Sequence, residues 1–312
     1  MNETITRVTM FVPGTPISEA AWNTALQDSG LRIEDGRLEG TTLPAAPEAM
    51  FVPQDGEFAK AFSFGTVSAD VLAELEAAPG ALVILWPIDL DQGRSHLVTA
   101  VECLRDAGAI AVRLEQSKLG WDVHRWIELF ASDDPSQWHR GAVAFLGGKG
   151  TVQSCGMHLF SRPDVQIEAG EQAFAQILNI YQLAEDPVLR SGHTFAPDAE
   201  TPRRVMERWP DVGYPADHPC HNPYGVWRLG AAGGTARSVG KLEPVFMPTL
   251  HALLAAAEEK AARPLTERDV LALRDAGTCI TMEPRDAQTL ERTRGYADLN
   301  PELIWEQWQL VR

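Results

Sequence analysis

The sequence predicts an α+β fold: a ferredoxin-like βαββαβ N-terminal half continuing into a second α/β half, then an irregular segment and C-terminal helices. Three observations carry that expectation. Short β-rich runs alternate with helical stretches that open on a serine and close on a glycine. The apolar run "ALVILWPIDL" has the length of a buried strand. From residue 191 the texture changes to crowded Pro, Gly and Asp.

In chain order, "TRVTMFVPG" is β-rich and ends at a Pro-Gly break. "SEAAWNTALQDSG" starts at Ser18, a good N-cap, and stops at Gly30, as a helix should. "LRIEDGRLEG" and "AMFVPQDGEFAKAFSFG" read as strands, and "SADVLAELEAAPG" repeats the cap-to-glycine form with Val71, Leu72 and Leu75 at helical spacing. With "ALVILWPIDL" the order over residues 1–92 is β-α-β-β-α-β. Residues 93–190 read as a second half. "RSHLVTAVECLRDAGA" is helical with Leu97, Val101 and Leu104 on one face, "IAVRLE" is a strand, and "DVHRWIELFAS" is a helix. "GAVAFLGGKGTVQSCGMHLF" reads as a hairpin turning at Gly147–Gly150, followed by the strand "DVQIE" and the helix "EQAFAQILNIYQLAED".

Residues 1–190 are therefore expected to form one α+β body. Residues 191–241 read as an irregular connector or lid that packs through Phe195, Trp209, Tyr214, Tyr224 and Trp227. Residues 242–312 read as helical: "TLHALLAAAEEKAA", "TERDVLALRDAG" capped by Thr266, and "NPELIWEQWQLVR" with Asn300 as cap and Pro301 in the first turn. In that last stretch Trp305 and Trp308 share a face suited to docking on a core.

Bulk composition narrows the function. A chain of 312 residues that is 45% apolar can bury a sizeable core, and 22% charge sets it apart from disordered tracts and membrane proteins. No apolar run approaches the roughly 20 residues of a spanning helix. "MNETITRVTM" lacks the form of a secretory signal, and four widely spaced cysteines fit reduced thiols, so a cytoplasmic location is expected. Net charge is −16, from 43 acidic against 27 basic residues. That field repels nucleic acid and anionic membranes and favours a basic protein partner.

The segment "AGAIAVRLEQSKLGW", with Glu115-Gln116-Ser117 after its strand, and the later "SCGMHLFSRPDVQIE", with Gly156, Met157, Phe160, Pro163 and Asp164, resemble the bacterial domain-of-unknown-function (DUF) 4261 family. The resemblance spans roughly residues 80–190. The tail "LTERDVLALRDAGTCITMEP…RGYADLNPELIWEQWQLVR" is similar to tails of other bacterial proteins. The resemblance implies a fold neighbourhood and a bacterial source. It carries over no activity and no catalytic residue.

Four residues could be asked to hold a zinc ion: Cys155, His158, His218 and Cys220. Cys155 and His158 stand three apart in an apparent strand and so point to opposite faces, while the adjacent Cys220 and His221 cannot easily both turn inward. No metal and no cofactor are expected. The loop "DHPCHNPYGVW" reads instead as a packed connector with its path fixed by prolines. "FLGGKG" lacks the Gly-Lys-Ser/Thr that opens a phosphate-binding helix, "GAAGGT" reads as a flexible connector, and Cys103 sits on or beside an apolar helical face. Arg113 and Glu115 are two apart at a strand end, where a small-molecule cleft could form. His124, beside them in sequence, reads as solvated. The leading expectation is a non-catalytic protein, immunity-type or regulatory, that acts by binding another protein. The alternative is a hydrolase or transferase with Arg113, Glu115 and His158 in a cleft between the α+β body and the C-terminal helices.

Overall fold

A computed structural model describes residues 6–40, 43–44, 46–63, 66–148, 150–230, 243–246, 248–277, 279–282, 290–292, 294, 296–301 and 303–312. Lys149 and most of "GAAGGT" lie outside them. The chain is an α+β protein made of two compact units, each drawn from three stretches. The first unit is Met1–Gly148, Gln153–Asp164 and Pro210–Val226; the second is Lys149–Val152, Val165–Trp209 and Trp227–Arg312. Among the described residues no helix is long and apolar enough to cross a membrane.

The first unit holds a seven-stranded sheet built from β1 (Val8–Gly14), β2 (Leu31–Glu34), β3 (Arg37–Gly40), β4 (Glu48–Pro53), β5 (Gly80–Trp86), β6 (Ala111–Leu114) and β7 (Leu119–Asp122). Its order is β2-β3-β4-β5-β1-β6-β7, with every neighbouring pair antiparallel. Alternation divides the faces. Val8, Met10 and Val12 stand opposite Trp86, Ile84 and Leu82, and all six are fully buried. The helices α1 (Glu19–Leu26), α4 (Leu90–Asp106) and α5 (Val123–Ala131) pack in series, α1 on α4 and α4 on α5. As the spacing predicts, α4 buries Leu97, Val101 and Leu104, while Cys103 beside them is only half-buried.

The first ninety residues hold the expected helices α1 and Ala69–Ala77, but "LRIEDGRLEG" is two strands, "AMFVPQDGEFAKAFSFG" is a strand only to Pro53 and then a short helix at Phe58–Ala61, and the ferredoxin-like strand order is absent among the described residues. The split arrangement sets the first strand beside a parallel neighbour. Here β5 lies between β4 and β1, and no pairing is parallel. The reason is local. Pro53 ends β4 directly opposite Gly80, which starts β5, so residues 54–79 leave and re-enter the sheet at one end. The helices in between, α2 (Phe58–Ala61) and α3 (Ala69–Ala77), are an insertion in a hairpin rather than a crossover. "LRIEDGRLEG" is also two strands, turned at Asp35-Gly36 with φ of 51° and 73°, the positive pair that a two-residue hairpin requires.

Beyond α5 come α6 (Pro135–Ala142), β8 (Ala144–Gly147) and β9 (Thr151–Cys155), with β9 beside β8 as the hairpin reading requires. The strand expected through "SCGMHLF" stops at Cys155. Gly156 takes φ 129°, and Met157–Phe160 forms a single 3-10 turn. A Cβ at Gly156 would collide with the Ala142 carbonyl oxygen, which leaves glycine as the residue that fits.

In the second unit the strand order is β14 (Glu243–Phe246), β15 (Cys279–Met282), β11 (Thr194–Ala196), β12 (Arg204–Trp209), β13 (Val226–Leu229), β10 (Asp164–Glu168). Residues 191–241, expected to be irregular, thus contribute three strands, and the expected helical region contributes two. Pro and Gly punctuate runs of only three to six residues there, which conceals the strand alternation. The helices of this unit are α7 (Gln172–Glu185), α8 (Leu250–Ala261), α9 (Glu267–Ala276) and α10 (Ile304–Val311). Thr266 caps α9 in a full capping box with Asp269. Asn300 does not cap the last helix: α10 starts at Ile304, and the Asn300 N–H donates instead to Gln307 Oε1 at 2.7 Å.

Candidate functional site

The second face of the first unit's sheet carries an open cleft of about 440 Å³. Phe11 on β1 stands opposite Val83 on β5 and Arg113 on β6, so these three side chains form a row across the strands. The insertion closes one end: Phe58 of α2 meets Phe11 edge-on, ring centroids 5.0 Å apart. Val52 and Pro53 of β4 complete the apolar floor, and Asp55, Glu57 and Glu115 supply carboxylates. Glu115 is held by two cations, Arg113 Nε at 3.2 Å and Lys118 Nζ at 2.6 Å. Glu57 pairs with the exposed Lys60 at 2.6 Å. Asp55 accepts the Glu57 backbone N–H at 2.9 Å.

His158 is not in that cleft. It lies in the 3-10 turn, 6% exposed, with Nε2 donating to the Pro219 carbonyl at 3.1 Å. Burial pushes its pKa down to about 4, so it is a neutral imidazole with a fixed tautomer rather than a general base open to substrate. Of the three acid–base candidates, only Arg113 and Glu115 come together, and each neutralises the other. His124 is exposed, as expected.

The metal candidates converge on the loop after Pro210. His218 stacks on Tyr214 at 4.6 Å, and its Nδ1 accepts the Cys220 N–H at 3.1 Å. His221 Nδ1 donates to the Tyr214 carbonyl at 3.2 Å. These imidazoles spend ring nitrogens on the backbone, and among the described residues no three His, Cys, Asp or Glu side chains are gathered to hold a metal. Cys155 and Cys220 are brought together all the same. Cys155 Sγ lies 3.8 Å from the Cys220 carbonyl oxygen and donates to the Gln116 carbonyl at 3.2 Å.

Beneath them lies a buried polar knot that local sequence did not reveal. Asn222 Nδ2 donates to Asp164 Oδ2 at 2.6 Å and to the Arg162 carbonyl at 3.0 Å. Ser154 Oγ and the Met157 N–H donate to Asp164 Oδ1 at 3.0 and 3.3 Å. Burial nevertheless pushes the Asp164 carboxyl up to about 7, against those donors. The loop is thus a packed connector whose path is set by Asn222 as much as by its prolines.

No family model matches the chain, and no curated protein or solved structure matches it either.

Proposed function

We propose that the chain is a non-catalytic bacterial protein that acts in the cytoplasm by binding another protein, an immunity-type or regulatory role, with a basic segment of the partner seated in the cleft. The cleft itself carries this reading: an apolar floor on the second face of a sheet, with carboxylates beside it and no acid–base pair free to work. An apolar partner side chain would cover Phe11, Val83 and Phe58, at about 25 cal/mol per Å² of apolar surface removed from water. A neighbouring cation would face Asp55 and take Glu57 from Lys60, an exposed pair whose loss costs little. The net charge of −16 adds long-range attraction. Of the residues named for the hydrolase or transferase alternative, which put its cleft between the α+β body and the C-terminal helices, Arg113 and Glu115 line this cleft of the first unit and are already paired.

Affinity capture by the full chain from native lysate, with and without Asp55→Lys/Glu57→Lys, tests the proposal. Both side chains line the cleft near its solvent side, so the variant is expected to fold. A stoichiometric basic partner should be retained at low salt and weakened about tenfold or more by the double reversal or by high salt. Equal retention by the reversed variant would remove this cleft as the binding face, and turnover of a substrate without a partner would remove the binding reading.

A further inference from the structure

Two of the four cysteines, 65 positions apart in sequence, lie side by side in the first unit, Cys155 Sγ 3.8 Å from the Cys220 carbonyl oxygen, and both are free thiols. We infer that Cys155 and Cys220 form a redox dithiol that reacts with a small hydroperoxide and closes to an intramolecular disulfide, with Cys220 as the attacking sulfur and Cys155 as the resolving one. This inference is independent of the binding cleft.

Both thiols are held in place from each side. Cys155 ends β9 just before Gly156, and its sulfur is fixed between the carbonyls of Gln116 and Cys220, at 3.2 and 3.8 Å. Cys220 is fixed by its own N–H on His218, by the His158 ring against Pro219, and by the Asn222 knot that follows. The thiols meet because two rigid turns meet. Long flexible chains do not have to find each other.

The surroundings assign the roles. Cys220 lies beside Cys155, whose S–H, turned onto the Cys220 sulfur, favours the thiolate there and lowers its pKa. Cys155 faces Cys220, then Asp164 and Asp211, and is buried, so it keeps its proton. Of the pair, Cys220 therefore carries the negative charge. At 6% exposure for Cys220 and 2% for Cys155, only small oxidants have access.

In the first step the Cys220 thiolate attacks one oxygen of the peroxide. An S–O bond forms, the O–O bond breaks, and the alkoxide or hydroxide leaves and takes a proton from solvent as alcohol or water. Sulfur is oxidised by two electrons to a sulfenic acid, and the peroxide is reduced by two. Cys155 then attacks the Cys220 sulfur. The S–S bond forms, the S–O bond breaks, and hydroxide leaves with the Cys155 proton as a second water. A dithiol reductant reverses the change by thiol–disulfide exchange.

The reduced full chain, treated with hydrogen peroxide, is the test. Loss of two thiols out of the four is expected, with one disulfide-linked peptide pair joining Cys155 to Cys220 after alkylation of the remaining thiols, and full recovery in dithiothreitol. Cys220 should react about tenfold or more faster than the half-buried Cys103, whose pKa burial raises. In Cys155→Ser, a sulfenic acid trapped by dimedone should accumulate on Cys220. Four thiols unchanged in peroxide, a bridge through Cys103 or Cys279, or copurified zinc that blocks oxidation would each overturn the inference. Because the peptide map is made on the unsubstituted chain, a variant that fails to fold does not protect it.

Discussion

Asn222 is fully buried and uses every polar atom of its side chain: Nδ2 serves Asp164 and the Arg162 carbonyl, and Oδ1 accepts the Tyr224 N–H at 2.8 Å. Its own N–H goes to Asp211 Oδ2 at 2.9 Å. A group left without its partner at such depth costs its full desolvation. Asn222→Ala should therefore lower unfolding stability by about 2–4 kcal/mol, read as a shift of the urea midpoint at unchanged slope. A loss below about half a kcal/mol would mean that water replaces the amide. None of this was legible in "HNPYG": Asp164 is 58 residues away, and the sequence carries no mark that pairs them. The pairing of Arg113 with Glu115, by contrast, followed from two-residue spacing in a strand. The convergence of Cys155 with Cys220 was visible only as two members of a metal-type set, because 65 residues separate them and nothing local marks their contact.

Single elements were most legible where chemistry is local. Ser18, Ser68 and Thr266 all cap their helices through the side chain, as their positions relative to the apolar spacing imply. What failed was information that only pairing supplies: the three strands in residues 191–241, the hairpin inside "LRIEDGRLEG", and the place of β5 in the sheet. The last helix offers a test at this scale. α10 sets Trp308, 2% exposed, into a cluster with Phe246, Leu250, Leu254 and Ile304, with Trp305 packed partly buried beside it. Trp308→Ala should cost about 3–5 kcal/mol by leaving a cavity, and Trp305→Ala clearly less. Equal costs in thermal or chemical unfolding would show that the helix docks on both rings alike.

Across the whole chain the buried titratable groups pull in opposite directions with pH. His139 and His158 are kept neutral by burial, with pKa values depressed to about 4 from 6.5. Their contribution is fully present above pH 6.5 and is lost as pH falls toward 4. Asp164 is raised to about 7 from 3.8, so its contribution is present in acid and is lost as pH rises through 7. Asp211 attracts a proton to His158 and His221 opposes it, yet burial outweighs both. The stability gap between the unsubstituted chain and His158→Gln should be widest above pH 6.5 and narrow toward pH 4. A gap constant over that range in thermal melts would mean that the imidazole has the same pKa folded and unfolded, and a gap that widened toward pH 4 would mean that it is charged in the folded state. One last consequence lies in the hairpin between β4 and β5. Because Pro53 and Gly80 stand opposite each other, the 26 residues between them can change length without shifting the register of β4 on β5, provided that Phe58 stays in its cluster with Ala81, and Phe62 and Leu75 in theirs with Ala111. The wall of the cleft is thus carried by an insertion and its floor by the sheet, so the two can vary apart.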